Sequence, residues 1–197
     1  SKLAQLKALE NDIPNGQDKL QKALEQATIA IHDANAEDRE QIEEEVALVQ
    51  GEFDNYVAVV KHSKKQLELG ITKWSEFDLK QEEAFKWLNE KEGVVQSFNK
   101  LQNNLEEKRV ALENFQSLLQ TLFDWQRDLD DLNISAQTLL DICADTRISN
   151  TVTQLTTKYN AILSMSKEIM KRLEVQYQEH QQHNALMQEL CDDWLDR

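Results

Sequence analysis

Few of the chain's reactive residues stand at spacings that could do chemistry. His180 and His183 share a helix face at i, i+3 spacing, with Glu179 beside them. That pair could offer two ligands to a metal, but a metal centre needs three or four converging ligands, each held by further hydrogen bonds. Two histidines on one helix are common by chance, and His32 and His62 have no evident partner. Cys143 and Cys191 lie far apart and belong to no C-x-x-C pair. They read as reduced cytosolic thiols rather than a disulfide framework, with Cys191, beside Leu190, as small core filler. The carboxylates run in groups such as Glu43-Glu44-Glu45 and Asp130-Asp131. Acid–base pairs must be buried to split their pKa values, whereas these groups suit solvated helix exteriors. There is no glycine-rich phosphate loop, no G-x-S-x-G elbow and no H-E-x-x-H helix. The expectation is therefore not an enzyme, with no catalytic residue, no metal ligand and no cofactor.

Composition narrows the remaining classes. The 197 residues carry 36 Asp and Glu against 22 Lys and Arg, a formal net charge of −14. That field repels phosphate backbones and anionic lipid heads, so nucleic acid and direct membrane contact are not expected. No apolar run reaches the ~18 residues of a membrane span, and no signal-peptide pattern opens the chain, which points to the cytoplasm. Hydrophobic residues make up 40% of the chain, too many for a disordered tail. With only 4 Gly and 1 Pro, long helices are the natural reading.

Apolar positions follow the helical period. From Ile42 the stripe passes Val46, Val49, Phe53, Tyr56, Val60, Ser63, Leu67, Gly70, Trp74, Phe77, Gln81, Ala84, Leu88, Lys91, Val95 and Phe98, every step being three or four. The spacing predicts one helix from about Glu37 to about Leu101, on the order of 100 Å long. Gly70 weakens it by about 1 kcal/mol without ending it. A second helix is predicted near 105–142, along Leu112, Phe115, Leu119, Leu122, Gln126, Leu129, Leu132, Ala136 and Leu140. A third follows from Ile148 through Leu155, Tyr159, Ile162, Ser166, Ile169 and Leu173, and less cleanly to Trp194, with Asp145 or Thr146 as its cap. In the N-terminal stretch Leu3, Leu6, Leu9 and Ile13 form one amphipathic piece. Pro14-Asn15-Gly16 is expected to break it before Leu20, Leu24, Ala27 and Ile31 resume the pattern. Asn35 is the cap expected before the long helix, and no strand pattern is found.

The chain also repeats itself. Ile42, Val46, Val49, Phe53, Tyr56 and Leu67 each stand 106 residues before an apolar partner: Ile148, Val152, Leu155, Tyr159, Ile162 and Leu173. Trp87-Leu88 recurs 107 residues on as Trp194-Leu195. These residues resemble the spectrin-repeat family. Phe77 to Trp87-Leu88, the Leu112–Leu129 heptads and the Ile148–Leu173 helix are similar to its helices A, B and C. The resemblance implies an all-α fold: tandem spectrin repeats, each an antiparallel three-helix left-handed coiled coil, joined by a continuous linker helix into an elongated rod. It implies a partial repeat at 1–74 (helices B and C, first helix missing), a complete repeat at 75–180, and the start of a further first helix at 181–197. The text around Leu6–Leu20 and Arg39-Glu40-Gln41-Ile42 is similar to helices B and C of the giant nesprins, the KASH-type nuclear-envelope linkers, and of dystrophin relatives. Plakins, dystrophin and spectrin stay open, because Phe53 and Tyr159 stand where many spectrin repeats have Trp, and the chain has neither an actin-binding region nor a membrane tail.

On this reading Trp87, Leu88, Phe98, Phe115, Leu119, Leu122, Leu155, Tyr159 and Ile162 fill a bundle core, and Gly70, Ile71, Trp74 and Phe77 form the repeat junction. Gln81, Gln126, Ser63, Ser166 and Lys91 interrupt the seams as polar residues that fix register. Trp125, one place off the Leu122/Gln126 seam, is a possible partner contact or a half-buried flanking residue. The implied function is a structural rod and docking segment of a cytoskeletal linker between actin and the nuclear envelope. Its partners would be cytoskeletal or actin-regulatory proteins, and its location the cytoskeleton or the outer nuclear membrane, through parts of the parent protein not present here. The alternative is a regulated helix-binding scaffold, docking an actin regulator such as a formin or a second copy at the open N-terminal repeat.

Overall fold

The computed structural model describes residues 1–197, which form five α-helices and no strand. α1 spans Lys2–Asp33, α2 Ala36–Ser97, α3 Leu105–Asp124, α4 Gln126–Ile142 and α5 Thr146–Leu195. They divide into two compact units, Ser1–Lys73 and Trp74–Arg197. α2 contributes to both and passes residues 73 and 74 without a turn.

The first unit is a helical hairpin. α1 ends at Ala34, and Asn35 starts α2 by accepting the Asp38 N–H at 2.8 Å. Cross-contacts fix the direction: Gly16 lies against Phe53, Leu20 and Leu24 near Val46 and Val49, and Glu10 against Lys64. As the residue number rises in α1 it falls in α2, so the helices are antiparallel.

The expected break at Pro14-Asn15-Gly16 does not occur, and α1 runs through all three residues. Proline inside a helix removes one hydrogen bond and costs about 3 kcal/mol. Here tertiary contacts on either side of Pro14 keep the helix going. Ile13 is the one buried residue of α1, and Gly16 lies directly beneath the Phe53 ring. Asn15-Gly16 has the composition of a turn because glycine breaks helices, but this glycine serves to make room. A Cβ at Gly16 would stand 3.0 Å from Phe53 Cε2. The seam also takes Glu10 in preference to Leu9, which is exposed. The Glu10 carboxylate meets Lys64 Nζ at 2.5 Å, and this ion pair holds the Lys64 ammonium above its ordinary pKa.

The second unit packs the remainder of α2 with α3, α4 and α5 around one core. Pairing sets its topology. Phe98 meets Phe115, Trp87 meets Trp125 and Lys80 meets Ser135, so α2 is antiparallel to α3 and α4. Tyr159 reaches Leu122, in keeping with the reversal of direction at the α4–α5 turn, and α5 is antiparallel to α3. Arg147 lies on Trp74, Lys158 on Glu92 and Arg172 on Asn99, so α5 is parallel to α2. This is an up-down-up three-helix order. α3 is capped by Asn104, which accepts the Glu107 N–H, and α5 by Asp145, which accepts the Arg147 N–H at 2.9 Å.

The single helix expected over 105–142 is two. α3 stops at Asp124 and α4 starts at Gln126, while Trp125 between them keeps helical torsions of φ −67° and ψ −13°. A side chain enters the hydrogen-bond ladder at this point. Tyr159 Oη donates to the Leu122 carbonyl at 2.7 Å, which is the acceptor a continuous helix would offer to Gln126.

The glycines yield a test. Gly51 and Gly93 have open space where a Cβ would stand. Gly51→Ala and Gly93→Ala should each stabilise by about 0.5–1 kcal/mol, the helix-propensity difference. Gly16→Ala should gain less than either, or destabilise, because its methyl group meets Phe53. Urea unfolding of the three variants measures the order.

Candidate functional site

The seam of the second unit places its aromatic residues in one stack. Phe115, Leu118, Leu122, Trp125, Leu129, Leu132, Ala136 and Leu139 follow steps of three and four, and all but Leu118 are buried. Trp125 is thus a seam residue. Its indole lies 4.7 Å from that of Trp87 with 9° between the planes, and 5.2 Å from the tilted Tyr159 ring. Tyr159 is only 1% exposed, and its hydroxyl is satisfied by Leu122. Burial raises the Tyr159 pKa above its ordinary value, with a smaller push from Asp130. Phe98 and Phe115 make an edge-on pair at 5.1 Å further along the bundle.

Of the residues read as core, Leu88, Phe115, Leu122, Leu155, Tyr159 and Ile162 are buried, and Trp87, Phe98 and Leu119 are half-buried. Trp125, read from the sequence as a possible partner contact or a half-buried flanking residue, is 8% exposed and lies between two rings. The difference arises at one step. After Leu122 the seam advances by three, not four, so Trp125 takes the inner place and Gln126 turns outward, where it bonds Asp130. Gln126 therefore fixes no register. Ser166 is buried, and its hydroxyl returns to the Ile162 carbonyl of its own helix at 2.7 Å. Gln81 binds Asp78 at 2.6 Å, and Lys91 Nζ stands 5.7 Å from the centre of the Trp87 ring.

Of the residues read as a junction, two lie in each unit. Ile71 is 55% exposed and Gly70 half-buried, both in the first unit. Phe77 is buried in the core of the second unit. Trp74 packs against that core and carries the Arg147 guanidinium at 5.3 Å. Arg147 is held in turn by Asp145, Nη2 to Oδ2 at 2.7 Å, and this pairing lowers the Asp145 pKa and raises that of Arg147. The cluster anchors the α4–α5 turn to α2, a link sequence reasoning missed. The Asp-x-Arg spacing at a helix start was its only local signal.

Cys143 and Cys191 are both exposed, so Cys191 is not core filler; it lies on a tail, residues 181–197, whose every residue is exposed. No group of three or more His, Cys, Asp or Glu is placed to hold a metal ion, and no helix is long and apolar enough to cross a membrane.

No family model matches the chain. Over 196 residues, its full extent, it is 55% identical to Muscle-specific protein 300 kDa of Drosophila melanogaster. The chain spans 2% of that relative's length. What this chain resembles is therefore one short stretch of a far longer protein.

The aromatic stack predicts an order of damage. Trp125→Ala should cost about 3–5 kcal/mol, and Trp87→Ala less, because only the inner ring is enclosed on both faces. Tyr159→Phe should cost about 1–3 kcal/mol by leaving the Leu122 carbonyl without its donor. The raised Tyr159 pKa means the folded state favours the protonated phenol. Its contribution is complete below the unfolded value near ~10 and is lost as pH rises through the folded one. Wild-type stability should fall more steeply than that of Tyr159→Phe above pH ~10, as read by urea midpoints.

Proposed function

We propose that this chain is a non-enzymatic structural segment of a giant cytoskeletal linker protein, built from spectrin-type repeats: a partial one over 1–74, a complete one over 75–180, and the opening helix of another in 181–197. The observation that carries the reading is α2, which belongs to two compact units and has no turn where they meet. A helix shared in this way makes neighbouring units fold and yield to load together, as in repeat arrays whose stability is a sum of unit and interface terms. The up-down-up order of the second unit, the 106-residue internal repeat and the likeness to a stretch of a muscle protein support it. Within that class we favour a nesprin-type linker. Its segment would act as a spacer between the actin cytoskeleton and the nuclear envelope, and its partners would be cytoskeletal or actin-regulatory proteins.

A docking role has its own support. Leu186, Leu190, Trp194 and Leu195 are large apolar residues, all exposed on the last turns of α5. Exposed faces of this kind attract other helices, including those of a second copy.

The shared helix is tested by Ile71→Pro. The Ile71 side chain is exposed, so the substitution acts on the backbone and spares the core. It should cost about 3 kcal/mol locally and split thermal unfolding into two transitions, read by calorimetry. A single unchanged transition would remove the mechanical part of the proposal.

A further inference from the structure

Beside the aromatic stack, α2 and α4 leave an open groove of about 420 Å³, within the roughly 300–1,000 Å³ of ligand sites. Its walls follow from helix periodicity. Lys80, Glu83 and Trp87 recur at three and four residues along α2, and Asp128 and Asp131 stand three apart on α4. Trp87 and Trp125 supply the apolar floor. Glu83, Asp128 and Asp131 are exposed, and none of the three is in an ion pair. The one cation of the lining, Lys80, is drawn aside onto Ser135 Oγ at 2.8 Å. The groove therefore sets three unpaired carboxylates against one ammonium over an apolar indole floor.

We propose that this groove is a docking site for an arginine-bearing segment of a partner protein. Charge complementarity selects a cation, and the apolar indole floor selects one that gives up its water readily. The chain displays both elements of that recognition already. Lys91 stands over the Trp87 ring, and Arg147 lies on Trp74 while a carboxylate holds it. A guanidinium suits the groove better than an ammonium, because it is planar, less strongly hydrated, and able to bridge two carboxylates. The net charge of −14 adds attraction at longer range. The inference is independent of both parts of the proposed function: the apolar face of α5, whose Trp194 is expected to stay still, and the shared helix, which Ile71→Pro tests separately.

The experiment titrates the whole chain with an acetylated, amidated tetra-arginine peptide at physiological salt, following the indole N–H signals by NMR and the affinity by calorimetry. The Trp87 and Trp125 signals should shift to saturation while that of Trp194 stays still. The combination Glu83→Gln, Asp128→Asn and Asp131→Asn should weaken binding at least ten-fold. Removing the same charge elsewhere, with Glu43→Gln, Glu44→Gln and Glu52→Gln, should change it less than two-fold. Tetra-lysine should bind more weakly than tetra-arginine. Equal weakening by the two triple variants, saturable shifts at Trp194 alone, or tetra-lysine binding as tightly would overturn the proposal. Circular dichroism establishes that each variant is folded.

Discussion

A buried phenol must find an acceptor, and in the second unit the one it finds belongs to the backbone of a neighbouring helix. Tyr159 is enclosed in the core, and its hydroxyl bonds the Leu122 carbonyl. Leaving it unbonded would cost about as much as a lost core contact. The bond falls where α3 gives way to α4 at Trp125, whose indole fits between Trp87 and Tyr159. One hydrogen bond thus sets the axial register of α5 against α3, the division between α3 and α4, and the seat of the largest side chain in the core. Polar pairs at the periphery then reinforce the same register: Lys158 with Glu92, Lys80 with Ser135, and Arg172 with Asn99. Exposed pairs of this sort contribute little stability, but each is satisfied only when the helices stand at the right height.

The two units reach their helix pairing by different means. The second has a continuous core in which more than a dozen side chains are nearly inaccessible. The first has only Ile13 and Val60 buried, and its Val49 and Tyr56 remain partly open to solvent. In place of core volume it relies on steric fit, with Gly16 under Phe53, and on the Glu10–Lys64 pair at a half-covered seam position. This contrast explains why Pro14 is tolerated where it stands. The hairpin is held by contacts before and after the proline, so the missing hydrogen bond falls between two fixed points instead of at a free end.

Most of the helical text was legible because the three-four alternation is long and rarely ambiguous. α2 could be followed from Ile42 to Phe98 by counting alone, and Asn35 and Asp145 by the short oxygen-bearing side chains that caps require. Failures came where a local rule met a tertiary demand. Pro14-Asn15-Gly16 has the composition of a turn, and only the Phe53 ring across the hairpin explains why a glycine belongs inside that helix. Gln126 and Trp125 were exchanged because Leu122 can be followed by either three or four residues. What decides it is Tyr159, 37 residues away in the chain. The Trp74–Arg147–Asp145 cluster was invisible for the same reason, since its members are brought together by the bundle and not by spacing.

Acidity and stacking are joined in this chain in a way that bears on what it could recognise. A strongly acidic helical surface is unselective by itself, because every exposed carboxylate offers the same charge to any cation. Selectivity needs a feature that only some cations can use, and flat aromatic faces beside carboxylates are such a feature. The chain uses this combination internally at Trp74, where Arg147 is stacked and paired at once and thereby ties a turn to a helix. At Trp87 the ring carries Lys91 from one turn along the same helix, outside the groove, and the groove's own carboxylates are in no ion pair. The first arrangement is complete and reads as structural. The second is half-filled, with its carboxylates unused, and that difference is the physical reason to look for a partner at one tryptophan and not at the other.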